Sequence, residues 1–225
     1  MPLTRLTAVR AQEPFEDDES AAEWLRETLD SEEALDAAVA EGMALLNRAL
    51  HAQAVAGADP LGAELSAERA ATVRVGYGSG EEVAAGRFSL AHEVDVRAGG
   101  SRRRRREDEL RPQERVAAIL GGRERIDACE PLLLRARADL EAGRRREAAL
   151  QLRIGLEALL AELPGALTDP GHEEDMAALE SRRKEAGDAA NAALHSDLPD
   201  EHERHVRDLL ALCERVLRRR RVLRG

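Results

Sequence analysis

Apolar residues recur at helical spacing along most of this chain. Ala21, Trp24, Leu25 and Leu29 share one face of a helix that starts near Asp18 or Ser20. Ser31, followed by acidic residues, marks the N-cap of a second helix, in which Leu35, Val39, Met43, Leu46 and Leu50 repeat every three or four positions. Gly57 and Pro60 end it, and the two helices are expected to form a hairpin. Ser66 opens a shorter stretch read as helical, Ala67 to Val75. The glycine-rich Gly76–Gly80 then reads as a flexible turn. Looser alternation from Phe88 to Val96 allows a short strand.

The second half is more regular. Pro112 suits the first turn of a helix carrying Val116, Ile119 and Leu120, with Gly121 as its stop. The next helix carries Ile126, Cys129, Leu133, Ala136 and Leu140. Pro131 either starts its main part or kinks it, and Gly143 ends it. Arg144 to Leu163 has the most regular stripe in the chain: Ala149, Leu152, Leu156, Leu159, Leu160 and Leu163. Its first residue, Arg144, is taken as exposed, and the inner stripe is expected to meet Leu209, Cys213 and Val216 of the last helix. A single alanine-faced helix is read from about Glu173 to Leu194. The last helix, Glu201 to about Arg221, has an acidic start and a basic finish, both of which complement the helix dipole.

These elements predict an all-α protein. The expected organisation is a disordered lead-in over 1–17, an N-terminal helical region over 18–96 with a short β element at 88–96, a charged linker over 97–111, and a bundle of four to five helices over 112–225.

Composition sharpens this picture. Hydrophobic residues make up 43 % of the chain but aromatics only 2 %, so the core must be built from Leu, Ala and Val, which suits helix-on-helix packing. Lys184 is the sole lysine among 34 basic residues. That bias is the mark of a GC-rich, bacterial genome, and it weakens every arginine run as evidence for phosphate binding. The net charge of −10 argues against a chain devoted mainly to nucleic acid. No apolar stretch is long enough for a membrane span and the start does not read as a signal peptide, so the cytoplasm is the expected location.

Candidate chemistry is sparse. Cys129 and Cys213 lie in apolar stripes and read as reduced core residues. Gly76–Gly80 lacks the spacing of a dinucleotide or phosphate loop, and Glu81 and Glu82 follow it. Arg102, Arg103, Arg104, Arg105 and Arg106 form the one candidate interaction arm. No aromatics are interleaved there for base stacking, and acidic residues follow at once. His202 and His205 share a helix face near Asp197, Asp200 and Glu201, but no third ligand is fixed by spacing, so no metal and no cofactor is expected.

Three pieces of the second half carry a resemblance. They are Ala136–Gly143, a helix end before a short turn; Ala148–Leu160, which contains Arg153 and Glu157 in the order R-x-x-x-E-x-L-L; and Asn191–His195, followed by a long last helix. The stretch from about Cys129 to Arg221 thereby resembles the HEPN domains, the helical "higher eukaryotes and prokaryotes nucleotide-binding" superfamily. The resemblance makes Arg153, Glu157, Asn191 and His195 the candidate motif residues, with Arg153 and Glu157 bracing the bundle near His195. Catalytic HEPN ribonucleases carry an arginine four to six intervening residues before the histidine. Those positions here are Ala190, Ala189 and Asp188, and the nearest arginine upstream is Arg183. The resemblance therefore implies a non-catalytic helical module. The helical stripes, the missing motifs and the net acidity point to an interaction or scaffold protein that pairs with itself or a protein partner. The alternative is an RNA-binding protein or ribonuclease of a defence or toxin system, with His195 as its acid–base residue and Arg183 or another distal arginine supplying the charge.

Overall fold

A computed structural model describes residues 4–11, 14–60, 62–95, 114–163 and 169–224. The described structure is mostly helical, with one small two-stranded sheet. The chain divides into two compact units, Met1–Asp108 and Glu109–Gly225.

The first unit begins with a helical hairpin. Helix α1 (Asp18–Asp30) opens with a reciprocal cap: Asp17 accepts from the Ser20 backbone at 2.8 Å, and the Ser20 hydroxyl accepts from the Asp17 backbone at 3.2 Å. Ser31 caps helix α2 (Glu32–Ala56) by accepting from the Ala34 N–H. Ala21, Leu25 and Thr28 of α1 are buried, whereas no residue of α2 is. Residues 4–11 of the lead-in make contacts within this unit. Arg5 donates to the Ala85 carbonyl at 2.9 Å, and Arg10 pairs with Glu41.

The stretch read as helical from Ala67 to Val75 is corrected here. Only Ala67–Arg69 makes a short 3-10 turn; strand β1 (Val73–Tyr77) follows. Two β-branched residues at alternate positions favour the strand. Gly76 permits it, since a Cβ there would meet the Leu90 carbonyl oxygen at 2.3 Å. The glycine-rich stretch is thus split between β1 and the five-residue helix α3 (Gly80–Ala84). Strand β2 (Leu90–Val94) pairs antiparallel with β1, Val75 opposite His92.

The second unit is the bundle. A short helix α4 covers 114–120, followed by α5 (Cys129–Glu141), α6 (Arg145–Glu162), α7 (Pro170–Ser181), α8 (Arg183–His195) and α9 (Asp200–Arg224). Pro131 falls in the first turn of α5, where its missing N–H is harmless, and Gly143 ends the helix at φ 74°. Helices α5 and α6 form an antiparallel hairpin, α8 packs on α6, and α9 packs against α5, α6, α7 and α8. Leu152, Leu156 and Leu159 are buried with Leu209, Cys213 and Val216 in one core.

The single helix expected from Glu173 to Leu194 is two helices, broken at Arg182. The two halves serve different partners: α7 packs chiefly on α9, while the alanine face of α8 (Ala186, Ala189, Ala190, Ala193) packs chiefly on α6. One straight helix would not serve both. The linker expected over 97–111, with Arg102–Arg106, lies outside the described residues.

Candidate functional site

The candidate motif residues lie on α6 and α8, whose seam runs antiparallel. At one end Arg183, first residue of α8, donates from Nε to Glu157 at 2.8 Å, with a second short bond from its Nη2. These bonds, with the charge of Arg183 and then of Arg153, hold the Glu157 carboxyl below the ordinary glutamate range, although burial opposes them. Further along, Arg153 reaches Gly187: a Cβ there would meet Arg153 Nη1 at 3.1 Å. At the far end Arg146 donates from Nε to the Ala193 carbonyl at 2.7 Å.

Glu157 takes Arg183 of α8 as its hydrogen-bond partner. Arg153 and Glu157 do not brace the bundle near His195, because Glu157 meets the opposite end of α8. His195 lies twelve positions on from Arg183, about 18 Å along the axis. Asn191 and His195 are both exposed, one helical turn apart at the end of α8. Arg146 meets α8 through the Ala193 carbonyl, a contact between residues far apart in the chain that sequence spacing does not show.

The N-terminus of α9 closes the same end of the bundle. Arg145 meets Asp200 at 3.1 Å and Glu203 at 2.8 Å. His202 and His205 stack edge-on at 6.1 Å between ring centroids. No group of three or more His, Cys, Asp or Glu among the described residues could hold a metal ion.

At the opposite end, the basic finish of α9 is taken up by acidic partners. Arg218 meets Glu214, Arg219 meets Asp169 and Asp175, Arg220 meets Asp127, and Arg221 meets Glu130 at 3.1 Å. Arg115 joins them, donating to Glu130 at 2.7 and 2.8 Å and to Glu124 at 2.7 Å. Burial works to raise the Glu130 carboxyl, but Arg115 and then Arg221 outweigh it and hold it below the ordinary value of 4.5. The run thus fastens α9 to the starts of α5 and α7. Complementing its own helix dipole, the role its position suggested, is at most part of its work.

Glu162, at the end of α6, accepts from the Ala128 and Cys129 backbone at 2.9 and 3.0 Å. It caps α5, whose own N-cap residue is an alanine. Both cysteines are buried and free. Burial pushes each thiol up to about 12, with Glu162 adding to the effect at Cys129 and Glu214 at Cys213. Neither environment makes a nucleophile.

No helix among the described residues is long and apolar enough to cross a membrane. No protein-family model matches the chain, and neither does any curated protein or solved structure.

Proposed function

We propose that this chain is a non-catalytic helical interaction module of the cytoplasm, acting by pairing with a protein partner or with itself. One observation carries the reading. The second unit closes a dense core, yet Val116, Leu120, Ile126 and Leu134 stay exposed on α4, α5 and the turn between them, Leu120 at 83 %. Its ionisable side chains, meanwhile, are largely spent on ion pairs between its helices. Large exposed apolar side chains on a well-packed scaffold are the means of a docking protein rather than of an enzyme. The test is affinity capture with the tagged chain, alongside light scattering of the purified protein. Leu120→Asp combined with Leu134→Asp should release a captured partner while leaving the fold intact. A strict monomer that captures nothing would end the reading.

A second reading is favoured by Arg146. Its hydrogen bond to the Ala193 carbonyl brings a guanidinium to the helix end that carries His195. On the HEPN resemblance, that pair would serve RNA binding or cleavage. Arg183 is instead engaged by Glu157. Labelled RNA should then be bound or cut by the wild-type chain and spared by both Arg146→Ala and His195→Ala. Intact RNA with no salt-sensitive binding would remove this reading.

A further inference from the structure

Helix α2 has two apolar sides. The stripe Leu35, Val39, Met43, Leu46 and Leu50 is half-buried within its own unit. There α1 lies beside the helix, Ala8 approaches Gly42, and Asn47 holds both backbone groups of Leu65. The other side is exposed, and it is short of charge. Ala37, Ala40, Ala44, Leu45, Ala52 and Val55 all face solvent, Val55 at 67 %. Over residues 37–56, Glu41 and Arg48 are the only acidic or basic residues apart from His51. Exposed sides elsewhere differ: α1 turns Glu23, Arg26, Glu27 and Asp30 outward, and α9 turns Glu201, Arg204, Arg207 and Asp208. A solvated helix ordinarily keeps its outer face polar.

Glu41 and Arg48 are seven residues apart, close to two turns, so they share this outer side. Their arrangement is self-complementary. Consider an antiparallel second copy of α2, related by a twofold axis passing between Ala44 and Leu45. Glu41 of each copy then lies opposite Arg48 of the other, and both pairs close together. The same axis sets Ala37 opposite Ala52 and Ala40 opposite Ala49, small residues that let two helices approach closely. In-register parallel pairing would oppose like charges. A face that is its own complement is the requirement of a twofold dimer, and it singles out a second copy over an unrelated partner. Glu41 is lightly held at present: its contact with Arg10 is 3.6 Å, with both side chains more than 60 % exposed. Arg48 has no ion-pair partner among the described residues.

We propose that two copies of this chain associate antiparallel through the outer side of α2, with reciprocal Glu41–Arg48 pairs across the axis. The inference rests on the reading of the chain as an interaction module and names the partner for this face. A single helix pair sits at the small end of specific interfaces, below about 1,200 Å² in total, so the dimer should dissociate at micromolar rather than nanomolar concentration.

Sedimentation equilibrium of the full chain tests it. The wild type should dimerise with concentration. Glu41→Arg and Arg48→Glu, both on exposed positions, should each weaken the dimer at least tenfold with the helical circular dichroism unchanged. Mixing the two variants should restore a one-to-one heterodimer, because every opposed pair is then of opposite sign. A wild type that stays monomeric at hundreds of micromolar overturns the proposal, as does a dimer indifferent to both reversals. Either result would leave the interaction-module reading standing if a partner is still captured and then lost on Leu120→Asp with Leu134→Asp.

Discussion

Arg144 Nε donates to the Asp139 carboxylate at 2.8 Å across the turn between α5 and α6, and the Asp139 side chain is only 3 % exposed. The Arg144 backbone N–H also donates to the Asp139 carbonyl at 2.8 Å. Helical spacing places Arg144 in solvent; the structure instead makes it the main counter-ion of a buried carboxylate. Arg144→Ala should therefore destabilise the second unit by about 2–3 kcal/mol, because it strands a buried charge that Arg135, at 3.4 Å, only partly serves. Urea denaturation decides it, and an unchanged midpoint would mean that the pair contributes nothing.

Leu156 lies at the centre of the bundle core, fully enclosed with Leu152, Leu209 and Cys213. Leu156→Ala should open a cavity and cost about 2–5 kcal/mol. That is a large part of the stability of an ordinary domain. The same denaturation measurement reads it, and a loss below 1 kcal/mol would show that the core refills the space.

His172 is buried in the first turn of α7, and neither ring nitrogen has a hydrogen-bond partner among the described residues. Replacing it with an apolar side chain of similar size removes that unsatisfied polarity. His172→Leu is expected to raise stability by about 1 kcal/mol. A destabilised variant would show that the imidazole is satisfied in solution.

Acid should loosen the end of the bundle where Glu130 binds Arg115 and Arg221. The folded-state value of Glu130 lies below its ordinary 4.5, so its contribution is present above pH 4.5 and is lost as pH falls through the depressed value. Glu157, held down by Arg183, acts in the same direction. Melting temperatures measured from pH 6 to pH 3 should fall less steeply in Glu130→Gln than in the wild type. Parallel curves would sink the assignment.

With both thiols pushed up to about 12 and fully enclosed, Cys129 and Cys213 should resist alkylation in the native protein at pH 8. Both should react within minutes in urea. Rapid native labelling of either would place that helix face in solvent.

How much could be read beforehand follows the range of the interactions. The start of α1 near Asp18, the α2 cap at Ser31, the Gly143 stop and the Leu152–Leu156–Leu159 stripe were all legible, since each depends on residues close together in the chain. The β1 strand was missed because its partner, β2, lies more than a dozen residues on, and Gly76 matters only once Leu90 is beside it. The break at Arg182 was missed because no proline or glycine marks it; the two packing surfaces impose it.

The sequence by itself determined that this chain is helical, where most of its helices start and stop, and which faces they bury, because capping and the 3.6-residue period are local physics. Only the tertiary structure decided which charges meet. Glu157 took Arg183 as its hydrogen-bond partner, Arg144 turned inward to Asp139, Glu162 capped α5 from another helix, and the arginines ending α9 became fasteners between helices. A long, flexible arginine has several carboxylates within reach, and the choice among them is made by helices that pack first and bring one carboxylate close.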